Sequence, residues 1–473
     1  MKQLGNLLDR IIGRINVNLR DFGFDAAAFI RGILPLKRLV QLNAFLGMTH
    51  QHPIHFHFNS SNLAGSYFLG KCMVDHAVLY KSDVRGDELK AKGDRFKFQG
   101  AEIPVHDDEV IRIKDAILIK TLVHCYSHDP EFLEEFCIQN TASMPYANIH
   151  GSSIEGCFLG SFSTVDLTTL HDSVIGAFSY VQVGELSHYR VKPGTVWIKA
   201  GDDFEFHYAF SRKVLKKYIA EGSDNRPAGL LMEFMDIRKN DFQKIFDVLP
   251  YKSPLSVPRN ASLNRYALVK GQNHIGENVL VVQRAHLGNA WLGKGANVQE
   301  NCYIINSRLE GNNVTAHGTK IVHAKLGKNV FVGFNSFLRG KAESSLEIGE
   351  QCIVMPHTII DLDEPLIIPA QHVVWGHIKN AKDLEENTIS IKEFSKVNDK
   401  FTLKAMTFQG SGSKFIQAFK HRIEHILEAN GAFYDGRNNK GHAQKKQYIS
   451  YHIVQPYRKG PKKGVYPSIE IRS

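Results

Sequence analysis

A chain of 473 residues is too long for one ordinary core, and 43% hydrophobic with 22% charged residues excludes a disordered or fibrous protein. No run of roughly eighteen apolar residues occurs, which predicts no membrane span, and the first residues lack the apolar core and cleavage site of a secretory signal. The net charge is +10, and six scattered cysteines (Cys72, Cys125, Cys137, Cys157, Cys302, Cys352) without CxxC spacing exclude a disulfide framework or a zinc ribbon, so reduced thiols in a cytoplasmic protein are expected.

In chain order, residues 1–59 read as an N-terminal helical segment. "LLDRIIGRI" places Leu7, Leu8, Ile11, Ile12 and Ile15 on one helical face, suited to core or oligomer packing, with peripheral membrane contact as the alternative. "HQHPIHFHF" puts His55 and His57 on one face of a strand. "HCYSH" spaces His124 and His128 by four, but neither pair has an evident third ligand for a metal.

Residues 60–210 contain six-residue rungs, as in "MVDHAVLYKSDVRGDEL" and "VDLTTLHDSVIGAFSYVQVG", separated by a long excursion that includes "VIRIKDAILIK". Residues 211–262 read as a helical and Pro-rich connector. Ser211 is the expected N-cap of its first helix, Gly222 the stop, and "EFMDIRKNDFQKIFDVLP" continues helical to Pro250.

A strict repeat then occupies residues 263–380. Ile275, Leu292, Leu309 and Leu326 recur every 17 residues, with aliphatic leaders spaced six, six and five: Ile275, Val281, Leu287; Leu292, Val298, Ile304; Leu309, Thr315, Ile321; Leu326, Val332, Leu338. After "KAESSLE" the pattern resumes at Ile348, Val354 and Ile360. Small residues recur four places after a leader, among them Ala285, Ala296, Cys302, Thr319, Ser336 and Thr358. Neither a helix nor simple strand alternation gives this period. A narrow three-sided coil does: the leader fills the axis, the small residue fits near the corner, and stacked coils bury a continuous column.

This pattern resembles the hexapeptide-repeat proteins. The resemblance implies a mostly β chain built on left-handed parallel β-helices, here in two parts joined by the helical connector. Residues 381–434 are a C-terminal helical segment whose helix is expected to be capped by Ser413. It carries an apolar stripe of Phe415, Ile416, Phe419, Ile423, Ile426 and Leu427, suited to packing on a β-helix end or a neighbouring subunit. Residues 435–473 form a basic tail with nine Lys/Arg against Asp435 and Glu470. It is expected to be exposed, partly mobile and dispensable for stability, and to bind an anionic partner.

Two histidines in the repeat stand out. By register, His317 ("TAHGTK") and His323 ("IVHAKLG") are neither leaders nor small corner residues, so both should face outward. Hexapeptide acyltransferases carry a catalytic histidine in an apolar-x-His-Asp-Cys pattern, and "IVHAKLG" is similar in its first part, with Ala324 and Lys325 where Asp and Cys would stand. The resemblance implies His323 as general base, with His317, Gln299 and Asn306 as substrate-binding residues. It also implies a coenzyme A thioester as donor, an amine or hydroxyl of a sugar or small molecule as acceptor, and no metal. A homo-oligomer, a trimer in the family, is implied as well, with the Phe415 helix supplying apolar contact. The γ-carbonic anhydrases offer a second likeness through "NVQEN", "AHG" and "VRGD" (Arg85, Asp87). Ile305 and Val322 stand where two of their zinc ligands would be, and His323 is displaced by one. A non-catalytic β-helix scaffold is the third reading.

Overall fold

The computed structural model describes all residues except 1, 51–52, 99, 128–132, 223–224, 243–254 and 473. The second connector helix spans Leu230–Arg238 and gives way to a turn at residues 239–242 instead of continuing toward Pro250; His128, Pro250 and the start of the Pro-rich linker lie outside the described residues. The chain forms two compact units. One comprises Met1–Pro193, Leu215–Ile237 and Ile449–Ser473; the other comprises Gly194–Val214 and Arg238–Tyr448.

The second unit is a three-faced parallel β-helix. Its first face runs from Ser262–Leu263 through Leu280–Val281, Asn297–Val298, Val314–Thr315 and Phe331–Val332 to His372–Val374, and an antiparallel strand, Thr388–Ser390, closes it. Among the described residues, the other two faces hold seven and six strands. The leaders are the axis: Ile275, Val281, Leu287, Leu292, Val298, Ile304, Leu309, Ile321, Leu326, Val332 and Leu338 belong to one buried cluster. The polar leader Thr315 is tolerated because its hydroxyl donates to the Asn297 carbonyl at 2.8 Å. The small residues behave likewise. Thr319 and Thr358 donate to the carbonyls of Ala316 and Met355 at 2.6 and 2.7 Å.

The first unit is also a three-faced parallel β-helix, but its coil is shorter. Ala142 pairs with Phe158, Phe158 with Val174 and Val174 with Arg190, a step of 16 residues. Polar atoms follow the same step: the amides of Ala77, Cys157 and Tyr189 donate to the hydroxyls of Ser61, Thr141 and Ser173 at 3.0, 3.2 and 3.0 Å. An excursion between Glu88 and Val110 carries a two-stranded hairpin, Arg95–Phe98 with Ala101–Pro104. The helix Lys2–Asn18 buries Leu4, Leu7, Leu8, Ile11, Ile12 and Ile15, and Arg10 pairs with Asp115 at 2.5 Å. The N-terminal segment is not helical to residue 59, since Ala44–Met48 and His55–Asn59 are β-helix strands.

The C-terminal helix spans Gly412–Ala429 and is capped by Ser411, not Ser413; the Lys414 amide reaches the Ser411 hydroxyl at 3.3 Å. Its stripe faces inward within its own unit. Phe415 is fully buried among Phe204, Phe206, Phe394 and Phe408, so it offers no apolar surface to a second copy.

The basic tail is not a mobile arm. Ser450–Val454 pairs antiparallel with Ala44–Met48, and Ile469–Arg472 with His55–Asn59. Tyr466, 2% exposed, sits in the core of the first unit and donates its hydroxyl to the Leu42 carbonyl at 2.7 Å. Charge counting missed this because all the lysines and arginines of the segment except Arg472 lie outside its two strands, so their number says nothing of how the strands pack. Loss of residues 449–473 therefore strips two strand edges and a core aromatic. Tyr466→Ala alone is expected to cost about 3–5 kcal/mol, and the truncation to lower the melting temperature by more than about 10 °C. Thermal melts of the full chain and the two variants check this, and an unchanged midpoint would refute the packing role.

Candidate functional site

The corners of the β-helix demand left-handed backbone, and in the second unit one corner column holds Asn289, Asn306 and His323, with φ of +50°, +47° and +50°. Asparagine is the natural non-glycine residue there, and histidine is among those enriched at positive φ. The column forms a hydrogen-bonded chain of determined polarity. The Gln272 amide donates to Asn289 Oδ1 at 3.0 Å, which turns Asn289 Nδ2 toward Asn306 Oδ1, also at 3.0 Å. Asn306 Nδ2 then lies 3.3 Å from His323 Nε2. An amide N–H is only a donor, so Nε2 accepts and the ring proton sits on Nδ1.

The column ends above His323. The next place is Gly340, where a Cβ would lie 2.3 Å from the His323 carbonyl oxygen. Residues 341–345 are the insertion that makes this coil longer than its neighbours. They form a tight turn in which the Lys341 and Ser344 backbones exchange hydrogen bonds of 2.9 and 3.1 Å. A groove of about 380 Å³ opens between this turn and the column, lined by Asn289, Trp291, Asn306, Arg308, His323, Lys325 and Lys341 among others. His323 and Asn306 are thus brought together, and His323 is half-buried at the groove.

His317 is elsewhere. It precedes Gly318 at a different corner, separated from His323 by the strand Lys320–Val322. It faces away from the axis but is only 1% exposed. Its Nδ1 lies 2.9 Å from Glu300 Oε2, and Glu300 Oε1 accepts from Gln283 Nε2 at 3.0 Å. Gln299 is half-buried, and its backbone takes part in the coil's hydrogen bonding. Neither His317 nor Gln299 lines the groove. The partner of His317 is one coil before it, so the pair was visible only as Glu300 and His317 at a 17-residue spacing.

The first unit holds a comparable pair that sequence reasoning missed. His150 and Asp166 stand side by side in register on adjacent strands, 2.8 Å apart, and the Tyr180 hydroxyl donates to the other Asp166 oxygen. His124 occupies the same row one strand earlier, its ring edge-on to His150 at 5.0 Å, and its Nε2 is 3.2 Å from Glu88. Arg85 bonds Asp87 and Glu88 at 3.1 and 2.9 Å. The signal was a spacing of 16, one coil, between His150 and Asp166.

Lys320 occupies the row between Tyr303 and Phe337, 1% exposed, with its ammonium donating to the Gly318 carbonyl. Burial pushes it down to about 7. The unfolded chain then binds a proton that the folded chain lacks between about pH 7 and the ordinary lysine value, so stability from this group rises with pH across that window. The urea midpoint should climb more steeply from pH 7 to 9 in the wild type than in Lys320→Met, and identical slopes would exclude a neutral lysine. A separate check bears on the corner column. Asn306→Gly keeps the left-handed corner and loses the bonds, at about 0.5–1 kcal/mol, whereas Asn306→Ala adds backbone strain of about 1 kcal/mol. Chemical denaturation that ranks the two alike would remove the corner argument.

Comparison with known proteins agrees with the architecture. A family model described as a hexapeptide repeat including a loop matches residues 101–223. A solved structure described as a "putative acetyltransferase from Desulfovibrio desulfuricans G20" is 55% identical, with a TM-score of 0.91, covering 100% of this chain and 99% of that one. A "putative acetyltransferase" of Bacillus cereus is 14% identical over 36% of this chain and 86% of its own, with a TM-score of 0.25. A UDP-N-acetylglucosamine acyltransferase from Campylobacter jejuni is 12% identical over 70% and 92%, with a TM-score of 0.15. These last two likenesses are too slight to carry an argument. No curated protein matches the chain. The two β-helices are those of a mostly β, left-handed hexapeptide-repeat protein, and the chain belongs to the hexapeptide-repeat transferase family.

Proposed function

We propose that the protein is an acyltransferase that moves an acyl group, most simply acetyl, from coenzyme A to an amine or hydroxyl acceptor, with His323 as general base. The full-length likeness to a protein described as an acetyltransferase supports the reaction class. The observation that carries the residue assignment is the set polarity of the asparagine column, which leaves His323 Nε2 as an acceptor at an open groove.

In this reading the acceptor's N–H or O–H takes the place of the Asn306 amide as donor to Nε2. The acceptor lone pair attacks the thioester carbonyl while its proton passes to Nε2. The tetrahedral intermediate expels the thiolate by C–S cleavage, the proton goes to that sulfur, and the products are the amide or ester and free coenzyme A thiol. Asn306 is a positioning residue, because it selects the tautomer. The neighbouring carboxylate of the family pattern is replaced by Ala324, and the amide column sets the tautomer before the acceptor displaces the Asn306 amide. His317, buried against Glu300, is assigned no substrate contact. A homo-oligomer, with a trimer as the family form, belongs to the same proposal.

Neither His323 nor His317 belongs to the axial core. His323→Ala is expected to lower turnover by ~10²–10⁴-fold with the fold retained. His317→Ala is expected to affect stability more than turnover, since it removes the imidazole beside the buried Glu300 carboxylate. Thiol release from acetyl coenzyme A, measured across a panel of amine and hydroxyl acceptors, checks both variants. Equal rates for wild type and His323→Ala would eliminate the base.

A further inference from the structure

The groove over His323 also carries charge. Arg308, Lys325 and Lys341 line it, and Glu347 is the one carboxylate among its described lining residues. Neither lysine makes an ion pair among the described residues. Arg308 is held in place: its Nε and Nη2 bond Glu310 at 2.8 and 3.3 Å, and its guanidinium stacks 4.4 Å above the Trp291 ring. The other face of that ring is covered by His274, stacked at 3.8 Å. Trp291 therefore has no face left for a sugar or base to stack on, and acts as a wall that stiffens Arg308. The Arg308 clamp uses one side of the guanidinium and leaves Nη1 for another acceptor.

Stiffness and surplus charge point the same way. A neutral acceptor would gain little from two unpaired ammonium groups and an oriented guanidinium, whereas a dianion would gain charge-assisted hydrogen bonds from all three. His323 lies in the same groove. We infer that the acceptor is phosphorylated, with its phosphate held by Arg308, Lys325 and Lys341 and its nucleophile turned toward His323. This rests on the reading of the groove as the acyl-acceptor site.

A phosphate here has two possible sources, the acceptor or the donor's own phosphates. The test is calorimetric titration of the full-length chain with glucose 6-phosphate, with glucose and with coenzyme A, each against wild type, Lys325→Ala/Lys341→Ala and His323→Ala. Glucose 6-phosphate should bind and glucose should not at the same concentration. The double lysine variant should weaken glucose 6-phosphate at least about tenfold while leaving coenzyme A unchanged. Higher salt should weaken the phosphorylated probe as well. Absent binding, or binding that the double variant does not alter, overturns the proposal. Competition between coenzyme A and glucose 6-phosphate, with both weakened in the double variant, also overturns it by giving the phosphate to the donor. Binding retained in His323→Ala keeps this result separate from the base assignment, which stands or falls on turnover. Circular dichroism of the double variant guards against misfolding, and since both lysines are on the surface the fold should hold.

Discussion

The structure depends on the corner. A three-faced coil must reverse direction every few residues without space for a loop, and left-handed backbone does this at the least length. For most side chains that conformation costs about 1–2 kcal/mol per residue. In the second unit glycine and asparagine take much of the cost, among them Gly295, Gly318, Asn278, Asn289, Asn301, Asn306, Asn312, Asn329 and Asn335, while Arg284, His323, Gln351, His357 and Gln371 stand at other left-handed positions. Asparagine then adds something glycine cannot. Stacked one coil apart, its amides bond each other and tie the corners together along the axis. His323 is read first as a member of such a column, and its chemistry follows from that membership.

The same constraint explains where polar pairs appear. A coil returns each row to the same place, so residues one coil apart stand side by side. Glu300 meets His317 and His150 meets Asp166 for this reason, at 17 and 16 residues. Such pairs are long-range in sequence terms but local in the stack. Buried, they are held by packing on both sides, and the desolvation of each carboxylate is offset by the imidazole beside it.

Much of the second β-helix was legible because its leaders keep one period and its small residues repeat with them. The first was blurred by a 16-residue coil and by the excursion between Glu88 and Val110, which breaks the phase before the next rung. The ends were misread for another reason. Ala44–Met48 and His55–Asn59 are strands that pair antiparallel with Ser450–Val454 and Ile469–Arg472 from the other end of the chain, so neither end shows a repeat alone. At the site, the pattern exposed His323 and Asn306, but not that an amide column would set the tautomer. Nor could residue type reveal that His317 is enclosed. The groove itself has a signature, the five extra residues before Ile348, which reads as a loop until the corner beneath it is known.

The return of the last strands to the first unit has a consequence for biosynthesis. The ribosome delivers Ala44–Met48 and His55–Asn59 long before their antiparallel partners, Ser450–Val454 and Ile469–Arg472. At roughly 5–20 residues per second, the outer edges of those strands wait on the order of twenty seconds or more for their partners. During that interval they are open strand edges of the kind that recruit other chains. Nascent protein is therefore vulnerable to association until Ser450–Val454 and Ile469–Arg472 emerge, and a chain stalled before them would present strand edges left unguarded.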